Sequence, residues 1–216
     1  MTFKELSFKK KLEHIWEYYK LIILGVIFII FVICTIFYSL VINPRPDTYA
    51  GVAIYDQYLN QEQLEGLEAD VDAALSLPKD KTVRFTTYYF DEDDDVFNVD
   101  MQQKFMTYLY TLETHLIAAY RAAFENFVSS GYIAPLTDYY SEEELSALDE
   151  KGRLIYFTDP EDNTEKPFGI SLYDSALFNK YDVFDTSSQP AYIGIFPAAG
   201  FEESSRAAAD EIIKAG

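Results

Sequence analysis

The feature that most constrains this chain is an uncharged apolar run from Leu21 to Ile42, LIILGVIFIIFVICTIFYSLVI. As a helix, its 22 residues would be roughly 33 Å long, enough to cross a hydrocarbon core of about 30 Å. A buried helix of this length in a soluble protein would carry a polar stripe, and this run has none. The run therefore predicts one membrane-spanning helix, with the lipid bilayer as its partner through residues 21–42.

Charged residues flank the run unequally, and this predicts its orientation. Five lysines precede it, and only Arg45 follows closely, so we expect a cytoplasmic N-terminus and an extracytoplasmic C-terminal part in a single-pass protein of the cell membrane. A cleavable signal peptide has an apolar region of about 7–15 residues that ends at small residues. Here the run is longer and ends in bulky residues, which favours an uncleaved anchor. The lysines are Lys4, Lys9, Lys10, Lys11 and Lys20.

The rest of the chain divides around this span. We expect a basic tail over 1–20, the span over 21–42, a proline-stiffened linker over 43–48 and one extracytoplasmic α/β domain over 49–216. Residues 43–216 hold 12 basic and 33 acidic residues, so this part should repel nucleic acid and favour cationic partners. The single cysteine, Cys34, lies within the span, so we expect no disulfide and no cysteine-based metal site outside.

The first half of the domain has the pattern of a βαβ unit. Tyr49–Tyr55 is a short apolar strand, Asn60 and Gln63 form a capping-box-like helix start, and Thr82–Phe90 is a second strand. Short connections between these elements predict a parallel sheet. Further elements are expected at helix 142–149, capped by Ser141 with Glu144, at strands 153–157 and 168–173 joined by a hairpin-like loop over 158–166, at a strand over 191–196 and at a final helix over 201–214.

Residues 100–130 admit two interpretations. Their apolar residues can all line one long helix, and periodicity alone favours this interpretation. Alternatively, the helix ends near Glu113, residues 115–119 form a strand, and a second helix runs from Arg121 to Ser130.

Three later segments carry a resemblance to a known family. They are FENFVSSGYIAPLTDYY (124–140), FGISLYDSALF (168–178) and AYIGIFPAAGFEESSRAAADEII (191–213). Together they resemble stretches of type 2 extracellular solute-binding proteins. The same order behind a basic-aromatic tail and one span is similar to short uncharacterised membrane proteins of Gram-positive bacteria.

The resemblance implies a three-layer α/β sandwich that corresponds to one solute-binding lobe with a reduced second lobe. It also implies a strand over 113–120, although Glu113-Thr114-His115 replaces the family's usual glycine and aspartate there. The 174 residues after the span are too few for two full lobes, so we expect a ligand cleft that is shallow or lost.

Two sets of residues are candidate sites. Asp91, Asp93 and Asp95 supply oxygen ligands that suit calcium. However, an EF-hand loop needs glycine and glutamate at the positions where this chain has Val96 and Gln102. The simpler interpretation is a solvated loop in which Asp100 caps the next helix. Ligands of open α/β sheets bind beyond the carboxyl ends of the strands. By that rule the predicted ligand-binding residues are Tyr55, Asp56, Tyr89 and Tyr120.

Motifs for catalysis are missing from the sequence. It has no G-x-S-x-G, H-E-x-x-H or glycine-rich phosphate loop, and the lone outer histidine, His115, lies in an apolar run where a structural role is the expected one. We therefore expect a non-enzymatic, membrane-tethered binding or interaction module that needs no cofactor and acts with another envelope or membrane protein. The alternatives are a small-solute receptor that serves a transporter and, third, a hydrolase that uses acidic residues.

Overall fold

The computed structural model describes residues 8–38, 46–91 and 94–214. The chain divides into two compact units, the first ending at Arg45 and the second beginning at Pro46. The candidate metal residue Asp93 and the last four residues of the predicted span, 39–42, lie outside the described residues.

The first unit contains one long helix, α1, over Phe8–Phe37. Within it, the 20 residues Tyr18–Phe37 have a mean hydropathy of 3.0 and are long and apolar enough to cross a membrane. An apolar helix near the N-terminus is compatible with either a membrane anchor or a signal sequence.

The second unit is an α/β domain built on one six-stranded mixed sheet. Its strands are β1 (Asp47–Tyr55), β2 (Lys81–Tyr88), β3 (Leu116–Tyr120), β4 (Leu154–Thr158), β5 (Glu165–Ser171) and β6 (Ala191–Ile195). Its α-helices are α2 (Gln61–Ala74), α3 (Asp95–Tyr110), α4 (Arg121–Ser129), α5 (Glu142–Asp149), α6 (Ala176–Lys180) and α7 (Glu202–Ile212). A short 3₁₀ helix covers Leu136–Asp138.

The strand order is β2-β1-β3-β6-β5-β4. β1 pairs in parallel with β2 and with β3, while β3–β6, β6–β5 and β5–β4 pair antiparallel. The expected βαβ unit is therefore confirmed as β1-α2-β2, and the expected hairpin as β4–β5. β3 joins the parallel half of the sheet to the antiparallel half.

Helices cover both faces of the sheet and make two apolar cores. Side chains at alternate strand positions point to opposite faces, so β1 sends Val52 and Ile54 to one core and Ala53 to the other. The first core packs against α2, α5, α6 and α7, and the second packs against α3 and α4. The domain is thus a three-layer arrangement.

Local signals place the helix ends. The capping boxes expected at Asn60 with Gln63 and at Ser141 with Glu144 are both present. The expectation that Asp100 caps a helix is wrong, because α3 begins earlier and Asp94 accepts the capping bond from the N–H of Phe97 at 2.9 Å. Asp100 lies inside α3, where its side chain is exposed.

The single long helix over 100–130 is also wrong, and the strand interpretation is confirmed. The helix ends at Tyr110, and Leu112 turns the chain with a φ of 55°. Residues 116–119 are buried on both sides, because β3 lies in the middle of the sheet. A short run that is apolar on both faces has no period to separate strand from helix, so periodicity failed here.

Gly51 and His115 make the closest backbone contact in this region. The N–H of Gly51 donates to Nδ1 of His115 at 2.7 Å, and the N–H of His115 donates back to the carbonyl of Gly51 at 2.8 Å. His115 also accepts from the N–H of Phe196 at 2.9 Å. A Cβ on residue 51 would lie 1.8 Å from the carbonyl oxygen of Glu113, so only glycine lets β1 and the start of β3 approach.

We therefore predict that Gly51→Ala prevents stable folding of the domain, at a cost of about 4 kcal/mol or more, because the clash is with backbone. The matched control is Gly66→Ala, whose new Cβ would first meet the side chain of Tyr181, at 2.6 Å. That ring can move, so we expect a loss of about 1–3 kcal/mol. Denaturant unfolding of the full chain in detergent measures both, and equal losses would contradict the prediction.

Candidate binding surface at the carboxyl edge of the parallel strands

The direction of the chain changes between β1 and β3. From β1 the chain crosses to β2 on one side and then returns to β3 on the other, so the carboxyl ends of β1 and β3 flank a topological switch point. In open α/β sheets, this is where ligands bind. Tyr55 and Tyr120 are the last residues of these two strands, so their surroundings decide whether a crevice exists here.

Tyr55 fills its side of the switch point with an aromatic cluster. Its ring centroid lies 4.9 Å from that of Phe90, 5.4 Å from that of Phe105 and 4.9 Å from that of Phe127. Burial, and secondarily the charge of Asp56, raise the pKa of the Tyr55 hydroxyl above its ordinary value. Tyr55 is therefore a packing residue with a neutral hydroxyl.

Asp56 is a turn residue with an exposed side chain. Its φ of 58° is left-handed, a conformation that aspartate tolerates better than most residues. Its N–H donates to the carbonyl of Tyr88 at 2.6 Å, which extends the pairing of β1 with β2.

Tyr120 lies on the opposite face of the sheet from Tyr55. Its hydroxyl accepts a hydrogen bond from the N–H of Asp185 at 3.0 Å, and its ring meets that of Phe184 edge-on at 5.1 Å. The alternation of side chains along the strands separates the two tyrosines. The four predicted ligand residues thus share an edge of the sheet but do not surround one cleft.

An exposed pair of tyrosines lies at the same edge. Tyr58, in the loop after β1, is 73% exposed, and Tyr89, directly after β2, is 40% exposed. Their rings meet edge-on, with centroids 6.2 Å apart and an angle of 77°. Sequence reasoning found Tyr89 and missed Tyr58, although a tyrosine three residues beyond the end of β1 was a signal for this edge. We call Tyr58 and Tyr89 the tyrosine pair.

The acidic loop after β2 is organised by hydrogen bonds within the chain. The side chain of Asn98 accepts from the N–H of Asp91 at 2.8 Å and donates to its carbonyl at 2.6 Å. Asp95 is the first residue of α3 and is exposed. Within the described residues, no group of three or more histidine, cysteine, aspartate or glutamate side chains is arranged to hold a metal ion.

The described residues of the domain line three hollows of moderate size. One of about 230 Å³ lies among α2, α6 and α7, and another of about 260 Å³ lies beside the start of β1. The third, of about 390 Å³, is next to Tyr120, since Phe184 and Asp185 line it. Its other lining residues are polar: Asn179, Asp182, Thr186 and Ser187.

His115 has a structural position. It is fully buried, its ring stacks on that of Phe201 with centroids 3.9 Å apart, and its Nδ1 accepts from backbone. Burial lowers the pKa of the ring below its ordinary value, so the ring is neutral and Nδ1 is free to accept. These contacts hold strands together and bring no nucleophile to the ring.

No protein-family model, no curated protein and no solved structure matches the chain.

We predict that His115 makes the stability of the domain fall as the pH drops below about 6.5, the ordinary pKa of histidine. Its pKa in the folded protein is lowered from about 6.5, so the unfolded chain binds the proton first as the pH falls. The contribution of the neutral ring is therefore complete well above pH 6.5, and below that pH it is lost by about 1.4 kcal/mol for each pH unit until the pH reaches the lowered pKa of the folded protein.

Denaturant unfolding of the full chain in detergent, followed by tyrosine circular dichroism, measures this slope. His115→Gln should flatten it, whereas His14→Gln, which changes the other histidine of the chain, should leave it unchanged. A slope that persists in His115→Gln would contradict the prediction.

Proposed function

We propose that this protein is a membrane-tethered, non-enzymatic binding module of the cell envelope that engages another envelope or membrane protein. The observation that carries the proposal is the tyrosine pair, exposed at the edge where open α/β sheets bind their ligands. Tyrosine is enriched at protein interfaces because it has a large apolar ring and a polar hydroxyl.

The packing of the switch point supports a surface over a cleft. The space that a small ligand would occupy beside Tyr55 is taken by Phe90, Phe105 and Phe127. The tyrosine pair, in contrast, remains accessible to solvent, with Tyr58 73% and Tyr89 40% exposed. An exposed pair of aromatic rings without an enclosing cavity suits a protein partner better than a solute.

Charge defines the kind of partner. Residues 46–216 hold 33 acidic and 11 basic residues, so a partner with a cationic surface would be attracted and an acidic one repelled. Nucleic acid is excluded by the same argument.

The alternative is a small-solute receptor, and the hollow of about 390 Å³ beside Tyr120 favours it. Its amide, hydroxyl and carboxylate groups would suit a polar solute such as a sugar or an amine. The resemblance to solute-binding proteins supports the same alternative, with the domain as one lobe and the second lobe reduced.

Orientation is part of the proposal. An N-terminus in the cytoplasm and the α/β domain outside follow from the five lysines before the span. We predict that protease added to intact cells stripped of their wall digests the domain and leaves a fragment that contains α1. A domain that resists the protease until the membrane is permeabilised would contradict this orientation.

We predict that a photo-crosslinking amino acid at residue 58 or residue 89 yields a discrete crosslinked product in membranes of the organism that encodes the chain. The matched control is Tyr110, which is 76% exposed but ends α3 at the opposite edge of the sheet. The reason for the difference is that interface energy concentrates in a few central aromatic residues. Products at residue 110 alone would contradict the proposal.

Ligand screening separates the alternative from the proposal. A solute at about 100 times its dissociation constant adds roughly 2.7 kcal/mol of stability, which a thermal shift of the full chain detects. The proposal predicts no shift with sugars, amino acids or amines. A shift that Tyr120→Phe or Asp185→Asn abolishes would establish the receptor function.

A further inference from the structure

The two outer strands of the sheet, β2 and β4, differ in how their free edges are covered. A free edge exposes unpaired N–H and C=O groups that can pair with another strand, and proteins usually cover it. In β2, the N–H of Val83 donates to Asp72 of α2 at 2.7 Å, and that of Phe85 donates to Glu68 of α2 at 3.1 Å. The N–H of Lys81 donates to the carbonyl of Pro78 at 2.9 Å, so the donors of this edge are occupied along most of its length.

The hydrogen bonds between β4 and β5 show which backbone groups of β4 point outward. Ser171 donates to Arg153 at 2.7 Å at one end, and Asp159 donates to Thr164 at 2.8 Å at the other. In an antiparallel ladder, residues alternate between bonding to the partner strand and pointing away from it. With the register shift after Ile155, the outward-pointing residues are Leu154, Tyr156 and Thr158.

These outward groups of β4 are open. Across residues 8–38, 46–91 and 94–214, no hydrogen bond from another residue reaches them. The strand itself, LIYFT, carries no charge and no proline, which are the usual means of protecting an edge. Tyr156 and Thr158 are exposed, so an approaching chain would meet a β-forming surface.

From this difference we infer that β4 is a docking edge, and that its occupant is an extended, cationic segment of another protein that adds to the sheet as a seventh strand. Strand addition of this kind takes affinity from main-chain hydrogen bonds and specificity from alternate side chains.

Charge selects the occupant. The stretch from Asp149 to Lys166, which contains β4 and the turns at both ends, holds six acidic and three basic residues. Two of the acids, Asp159 and Asp162, are already paired with Lys166, at 2.7 Å and 2.6 Å. The others favour a basic strand and oppose a second copy of the same acidic edge.

The inference is independent of the tyrosine pair. That pair follows β1 and β2, whereas β4 is the last strand at the other end of the sheet, so either surface can fail a test without the other.

The test uses the full chain in detergent and a synthetic probe, an acetylated and amidated peptide of alternating lysine and valine. Two control peptides are the same sequence with glutamate for lysine, and the lysine peptide with every backbone amide N-methylated. The measurement is amide hydrogen exchange at residues 154, 156 and 158, with Val83 and Phe85 as internal controls. We expect the lysine peptide at millimolar concentration to slow exchange at the three β4 amides by about tenfold or more, and to leave exchange at Val83 and Phe85 unchanged. The two control peptides should not slow exchange at any of these amides.

Two variants sharpen the test. Tyr156→Pro removes an outward N–H and no bond to β5, so the domain should keep its stability while the peptide effect is lost. Tyr156→Ala keeps the N–H and should keep the effect. The inference would be overturned if the lysine peptide gave no protection, or if the N-methylated peptide protected the β4 amides equally well. It would also be overturned by protection that needs no peptide and grows with protein concentration, because the occupant would then be a second copy of the chain.

Discussion

The fold depends on the contact between Gly51 and His115. Among the strands that the structure describes, β3 is the one that pairs in parallel with one neighbour, β1, and antiparallel with the other, β6. The contact sets how closely the start of β3 approaches β1, because Gly51 has no side chain to exclude the carbonyl of Glu113. The ring of His115 accepts the N–H of Gly51, which this close approach would otherwise leave unpaired. The same residue then accepts from Phe196 and aligns the antiparallel half. Two cores, one on each face, follow from this alignment.

The sequence predicted elements that carry their own local signals. Both capping boxes, the parallel βαβ unit and the β4–β5 hairpin could be predicted because a cap or a turn is decided by residues a few positions apart. β3 could not be distinguished by periodicity, because burial on both faces removes the alternation that identifies a strand. The start of α3 was placed too late because Asp94 and Asp100 are equally good caps, and only packing selects between them.

The candidate site shows where such reasoning ends. The rule for open sheets selected residues of one edge, and Tyr55, Tyr89 and Tyr120 do all lie at the ends of parallel strands. Which face each side chain occupies depends on register, and whether a crevice stays open depends on residues far away in the chain, such as Phe105 and Phe127. The sequence also could not predict that β2 is covered at its free edge and that β4, within the described part of the chain, is not, because this depends on how α2 packs to place Glu68 and Asp72 beside β2. The apolar helix α1 was evident at once, because length and composition suffice to recognise it.

The proposed function requires that this domain bind its partner through its surface and not in a cleft. Amide hydrogen exchange of the full chain in its own membranes, compared with the same chain purified in detergent, tests it most directly. The account predicts that the native membrane slows exchange in the loop 56–60 and in residues 89–91, where the tyrosine pair lies, while exchange around the hollow at 182–187 stays the same. Slower exchange confined to 182–187, or identical exchange in both preparations, would contradict the account.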